Sequence, residues 1–166
     1  MGKHHAVTYD ADGQFVFDED QKIEDRQKFY IYNLLDKTIK VEVFPRYKIS
    51  SKNPLIMLET TNDYEFESTL EICLNTYVPR PYQQLGINQA DRTISWNTGK
   101  LLKTDKHHYH YFGNTDGMCG DVIFDQYLRF IGIVVGKEEG HIKILVSIIV
   151  RANISKGVDL DEVDYT

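Results

Sequence analysis

The sequence predicts an all-β fold of short antiparallel strands, and three observations predict it. Thr38-Ile39-Lys40-Val41-Glu42-Val43-Phe44 alternates, with Ile39, Val41 and Val43 on one face and Lys40 and Glu42 on the other, the pattern of a half-buried strand. Tyr, Phe, Val, Ile and Thr dominate a series of further short runs, as β propensity expects. Turn signals separate these runs at Asp12-Gly13, Asn53-Pro54, Asn97-Thr98-Gly99, Asp116-Gly117 and Glu139-Gly140. About ten short strands joined by tight turns imply a sandwich or closed barrels.

In chain order the expected strands are 15–17, 28–34, 38–44, 55–58, 66–74, 93–96, 108–112, 122–124, 130–135 and 142–150. Asp18 to Lys28 is rich in charge and reads as a solvated loop or a short helical turn. No segment shows a helical period longer than two turns. Residues 75 to 91 contain Pro79, Pro81 and Gly86 but few alternating apolar residues. This segment reads as a connection, which divides the chain into a first lobe at 14–76, a link at 77–91 and a second lobe at 92–152. An acidic tail is expected over 153–166.

Composition narrows the function classes. The chain has 166 residues, 42% hydrophobic and 27% charged, which is neither a disordered nor a membrane composition. The longest apolar run, 142–150, is interrupted by Lys143 and Ser147 and falls short of the roughly 20 residues a spanning helix needs. A net charge of -6 argues against a general nucleic-acid surface, which would be cationic. The start, Met1-Gly2-Lys3-His4-His5-Ala6, has no apolar h-region, so no secretory leader is expected. Two cysteines, Cys73 and Cys119, do not form a disulfide framework, and a reducing setting is the default. The triplet Asn153-Ile154-Ser155 matches a glycosylation acceptor, but without a leader it is assigned no role.

The most informative stretch is Gly117-Met118-Cys119-Gly120-Asp121-Val122-Ile123-Phe124-Asp125, followed by Arg129-Phe130-Ile131-Gly132-Ile133-Val134-Val135-Gly136. A cysteine between small residues, in a turn between strands, is exposed rather than packed in a core. Gly117 leaves the backbone free for unusual dihedrals. Such a turn can aim the N–H groups of residues 117 and 119 at one point, which is the geometry of an oxyanion hole beside a nucleophile. The alternative is a hairpin turn that carries an incidental cysteine.

This longer pattern resembles the nucleophile region of chymotrypsin-fold proteases from positive-strand RNA viruses. The resemblance is strongest to the alphavirus capsid protease family, whose pattern is G-D-S-G-R-P-I-x-D followed by a basic residue and V-V-A-I-V-L-G. Cys119 stands where that family has its serine, and Ile123, Asp125, Arg129, Ile133, Val134 and Gly136 fall on matching positions. Ser95-Trp96-Asn97-Thr98-Gly99 is similar to the family's N-W-H-H-G, and Tyr64-Glu65-Phe66-Glu67 to its Y-D-L-E. Picornavirus-type cysteine proteases share the fold and a G-x-C-G turn. The resemblance implies two packed antiparallel β-barrels, chymotrypsin-like, with an active site in the groove between them. It further implies Cys119 as nucleophile, Glu65 or Asp63 as acid, and Gly117 with Cys119 as the oxyanion hole. No cofactor or metal is implied.

The family's histidine is missing. The six histidines are His4, His5, His107, His108, His110 and His141, and none lies in 38–57, where the family places its base. Arg46 and Lys48 in that stretch can favour a thiolate but cannot return a proton to a leaving amine. A thiol with a pKa of about 8.5 needs an adjacent base or cation to act as a nucleophile. Met118 replaces the family's aspartate, and Asp121-Val122 replaces Arg-Pro; a carboxylate at 121 would oppose a thiolate.

His4 and His5 could act only if an N-terminal arm folds back. His108 and His110 are expected on one strand face and His107 on the other. The three are expected on a solvated strand; the alternatives are a substrate-pocket role for His108 or His110, or a zinc site of His108, His110 and Cys119. Trp96 is expected in core or inter-barrel packing and Cys73 as a buried apolar residue. Val134 lies where picornavirus-type relatives carry a pocket histidine.

The expected function is a virus-type protease-fold domain that has lost catalysis and acts as a structural or interaction protein, capsid-like or accessory. The alternative is an active cysteine endopeptidase that processes a viral polyprotein with a rearranged base. The expected partner is a viral or host protein in the groove. The expected location is the host cytoplasm or the virion, with no membrane insertion.

Overall fold

The computed structural model describes residues 4–10, 13–49, 54–66, 71–75, 77–88 and 90–156. The chain divides into two compact units, one within residues 1–69 and the other within 70–152.

The first unit is an antiparallel sheet of β1 (His5–Tyr9), β2 (Phe29–Tyr32), β3 (Lys40–Lys48) and β4 (Leu55–Thr60). Its spatial order is β1-β4-β3-β2. Val41 and Val43 are buried as their alternation predicts, against Ile56 and Leu58. Ile39 precedes the strand and is exposed. Residues 15–17 form no ladder. They are extended chain whose Phe15 and Phe17 rings lie on the core, and the Asp10 carboxylate pins their start by accepting from Gln14 N and Phe15 N at 2.8 and 3.2 Å. The charge-rich loop holds a single 3-10 turn, Ile23–Asp25. Buried Arg26 ties this loop to β3, donating to the carbonyls of Pro45, Arg46, Glu19 and Gln21. Strand β1 carries no clear sequence signal, because all five of its residues are only half-buried.

The second unit is a closed six-stranded barrel. Its strands are β5 (Arg80–Ile87), β6 (Ile94–Thr104), β7 (His110–Gly113), β8 (Val122–Phe124), β9 (Phe130–Glu138) and β10 (His141–Val146). They close in the order β10-β7-β6-β5-β8-β9. Tyr82, Leu101, Ile123, Ile131, Val134, Ile142 and Ile144 fill the interior. Burying each such side chain stabilises by roughly 1.5–3 kcal/mol. Tyr82 lies so close to Gly99 and Gly113 that a Cβ at either position would collide with its ring or hydroxyl.

Three sequence expectations are corrected here. The stretch 77–91 is not only a connection, because Arg80–Ile87 is a full barrel strand between β6 and β8. Its residues at alternate positions, Arg80, Tyr82 and Gln84, are buried despite two being polar, so hydrophobic alternation could not reveal it. The run 142–150 does not stay extended. It ends as a strand at Val146 and continues as α1 (Ser147–Lys156), a switch that a continuous apolar run cannot signal by periodicity. Residues 153–156 therefore belong to a helix, and 157–166 lie outside the described residues. Within 66–74, residues 67–70 are also outside them. Ile72 makes an isolated parallel bridge to Phe130, and Cys73 is buried, as expected. No helix among the described residues is long and apolar enough to cross a membrane.

Candidate active site

Cys119 is exposed at the apex of the turn between β7 and β8. Asp121 N donates to Met118 O at 3.0 Å, closing the turn. Gly120 takes φ +95°, in the region that favours glycine. Gly120 N donates to Val134 O at 2.8 Å and Val134 N to Asp121 O at 2.9 Å, which fastens the turn to β9.

A polar pillar supports the turn from inside the barrel. Thr115 N donates to the Tyr82 hydroxyl at 3.2 Å, and that hydroxyl bonds Thr115 Oγ1. Thr115 Oγ1 donates to Gln84 Oε1 at 2.5 Å. Gln84 is 1% exposed. Its Nε2 donates to Asp116 O at 3.1 Å and to Asp121 Oδ2 at 2.8 Å. Asp121 Oδ2 also accepts from Met118 N at 3.1 Å. Every polar atom of the buried Gln84 amide is thus satisfied, the condition for a stable polar core. Burial pushes the Tyr82 phenol up, while its bonds to Thr115 oppose that shift.

Gly117 is required by packing, since a Cβ there would collide with Gln84 Nε2 and sit 2.9 Å from Asp121 Oδ2. Its N–H, expected to help form an oxyanion hole, donates to its own neighbour, Asp116 Oδ1, at 3.0 Å. Lys137 Nζ bonds the same carboxylate oxygen. The Lys137 ammonium and then the Gly117 N–H hold the Asp116 carboxyl below the usual carboxylate range.

Within the second unit no histidine bonds Cys119 among the described residues. His110 Nδ1 bonds Asp105 Oδ2 at 2.7 Å, and His108 Nδ1 bonds Thr104 Oγ1 at 3.1 Å. His107 stacks on Tyr109 with ring centroids 5.4 Å apart. The expected pairing of His108 and His110 on one strand face is corrected: residues 106–109 form a turn, His108 takes φ +62°, and β7 begins only at His110. Among the described residues no three His, Cys, Asp or Glu side chains gather to hold a metal. The core placement of Trp96 is also corrected. The residue is 52% exposed on the outer side of β6, with its ring 6.0 Å from that of Phe124.

In the first unit Glu65 and Asp63 are exposed. Glu65 has a partner the sequence did not specify. His4 places Nε2 3.6 Å from Glu65 Oε1 and Nδ1 2.7 Å from Tyr64 O. The carbonyl can only accept, so His4 Nδ1 carries the proton. Strand β1 delivers this ring, with Thr60 N donating to His4 O at 3.0 Å. His5, one residue on, bonds Glu59 at 3.1 Å, and Arg46 bonds the other oxygen of Glu59.

Gln84, Asp116, Lys137 and the His4–Glu65 pairing escaped the sequence reading. Gln84 lies in the stretch that reads as a link, Asp116 reads only as part of a turn, and nothing local marks Lys137 or pairs His4 with Glu65.

No family model matches this sequence, and no curated protein matches it. Solved structures do. The chain is similar to the serine endoprotease from Yersinia pestis, at 13% identity and a TM-score of 0.61, covering 93% of this chain and 53% of that one. It is also similar to an inactive serine-to-alanine form of Rv3671c from M. tuberculosis H37Rv, at 12% identity and a TM-score of 0.59, covering 99% of this chain and 79% of that one. The chain spans about half the length of the Yersinia pestis protein. At such identities the likeness is one of fold.

Proposed function

Starting from a chymotrypsin-like protease fold, we propose that this chain is a virus-type protease domain that has lost catalysis and serves as an interaction protein, capsid-like or accessory. The observation that carries this reading is the state of the groups that would do chemistry. Cys119 is exposed in a well-held turn, yet three histidines of its own unit, His107, His108 and His110, bond or stack elsewhere. The Gly117 N–H already has a carboxylate on it. His4, the imidazole beside the expected acid, turns its protonated Nδ1 to a carbonyl and its Nε2 toward Glu65. A general base needs an unprotonated nitrogen aimed at the nucleophile. Losing that base costs orders of magnitude in rate.

The viral part of the reading is carried by the residue pattern around Cys119 and by the similar patterns at Trp96 and Glu65. The partner is a protein, viral or host, and the site of action is the host cytoplasm or the virion. The net charge of -6 argues against a general nucleic-acid surface and supports a protein partner.

One observation favours the alternative, an active cysteine endopeptidase. The His4–Glu65 pair is an imidazole beside a carboxylate, the arrangement that orients a catalytic base. The test is mass spectrometry of the purified chain, alone and with a peptide library. The proposal expects no self-cleavage and no cut peptides. Cleavage that disappears in Cys119→Ala establishes the endopeptidase instead.

A further inference from the structure

The turn that would hold a developing oxyanion already holds an anion. Asp116 Oδ1 lies 3.0 Å from Gly117 N and also bonds Lys137 Nζ. A backbone N–H and an ammonium converging on one carboxylate oxygen form a charge-assisted anion site. The occupant is supplied by the chain itself and is weakly anchored. The Asp116 side chain is 89% exposed, and its bond to Gly117 spans adjacent residues only.

The backbone donor is held more firmly than the occupant. The Met118 N–H next to Gly117 is tied to Asp121, which is tied to buried Gln84. The backbone beyond it is tied to β9 through Gly120 and Asp121. Lys137 lies on β9, paired with Ile142. If Asp116 swings away, the Gly117 N–H remains in place, and Lys137 stays anchored by its backbone on β9 with its ammonium freed.

We propose that Gly117 N–H and Lys137 form a binding site for a peptide carboxylate, closed in the free chain by Asp116. An incoming carboxylate displaces Asp116 and takes over the same two donors. No bond is made or broken covalently, and Cys119 is not required. The inference rests on the reading that this turn binds rather than cleaves, and it names the ligand chemistry.

The test uses the full ¹⁵N-labelled chain, with the Gly117 amide resonance as the reporter. In the unsubstituted chain sodium acetate moves this resonance little, because Asp116 competes for the same donors and one carboxylate replaces another. In Asp116→Ala the amide loses its carboxylate and moves upfield. Acetate then returns it downfield in a saturable way, while Ile144 in the barrel core stays in place and confirms folding. Adding Lys137→Ala to Asp116→Ala weakens acetate about two- to five-fold, as expected for an exposed ion pair.

A peptide with a free C-terminus and an amidated peptide carrying one internal Glu, each titrated into Asp116→Ala, separate the two sources of carboxylate. A saturable shift with either one supports the site and identifies the source. A Gly117 amide unmoved by Asp116→Ala, or no saturable shift with acetate and both peptides, overturns the inference. Cys119-dependent cleavage would defeat the binding role whatever the amide does, so the two failures can be told apart.

Discussion

The Asp121 carboxylate, two residues past Cys119, sits 2.8 Å from the amide nitrogen of buried Gln84. A charge at this position was expected to bear on the thiol. The structure instead engages it with two donors, Gln84 Nε2 and Met118 N–H, and makes it the joint between turn and barrel.

Breaking that joint should loosen the turn and cost stability. Gln84→Ala and Asp121→Ala each remove a shared, partly buried hydrogen bond, so each should destabilise by about 1–3 kcal/mol. The double variant should cost less than the sum, because the two residues share one interaction. Gly117→Ala should be at least as costly, since its Cβ meets Gln84 directly. Urea denaturation midpoints of the four variants check this. Strict additivity of the Gln84 and Asp121 effects would contradict the pairing.

Arg80 offers a second test in the barrel core. Its Nη1 lies 3.0 Å from Cys73 Sγ, its guanidinium carbon is 5.7 Å from the Tyr111 ring centroid, and its Nε and Nη2 have no hydrogen-bond partner among the described residues. A buried guanidinium with unsatisfied donors is costly, and an apolar residue of similar length removes that cost. Arg80→Met should therefore be neutral or stabilising. Cys73→Ala deletes the sulfur partner while leaving the charge, and should destabilise by about 2–3 kcal/mol. Urea melts of both variants decide it, and a large loss in Arg80→Met would contradict the account.

The His110–Asp105 pair predicts a pH dependence. Burial pushes the His110 imidazole down, and the Asp105 bond only partly opposes this. Burial alone would raise Asp105, but bonds from His110 and from Tyr109 N–H hold it below the usual range. Together these describe a neutral His110 donating from Nδ1 to an ionised Asp105. A histidine whose folded value is depressed binds protons more readily when unfolded. Its contribution is fully present above the unfolded value of about 6.5 and is lost as pH falls through the folded value. Urea midpoints at pH 7.5, 6.5 and 5.5 should show a decline in the unsubstituted chain that is smaller in His110→Asn. An equal slope in both would refute the assignment.

The fold was legible where burial and alternation coincide, as at Val41 and Val43 in β3, and where a short apolar run is buried between turn signals, as at Ile123 and Phe124 in β8. It was hidden where the inside of the barrel is polar. Arg80 and Gln84 occupy buried positions of β5, so a central strand read as a linker. It was hidden again at Ser147, where β-branched residues continue from strand into helix without a change of composition. For the candidate site, the glycines and the cysteine of the turn were readable because their residue types carry the geometry. The partners of Asp116, Asp121 and Glu65 were not, because Lys137, Gln84 and His4 come from distant strands that only the folded chain brings near.

The proposal is that a chymotrypsin-like scaffold here presents a thiol without a working base. Its most direct test is the rate of iodoacetamide alkylation at Cys119, followed by mass spectrometry between pH 5 and 9, with glutathione as the reference. Cys73 is buried and serves as the internal control. The account predicts that Cys119 reacts no faster than glutathione across the range and that His4→Ala leaves its rate unchanged. A Cys119 that outpaces glutathione near neutral pH, and slows when His4 is removed, would contradict it.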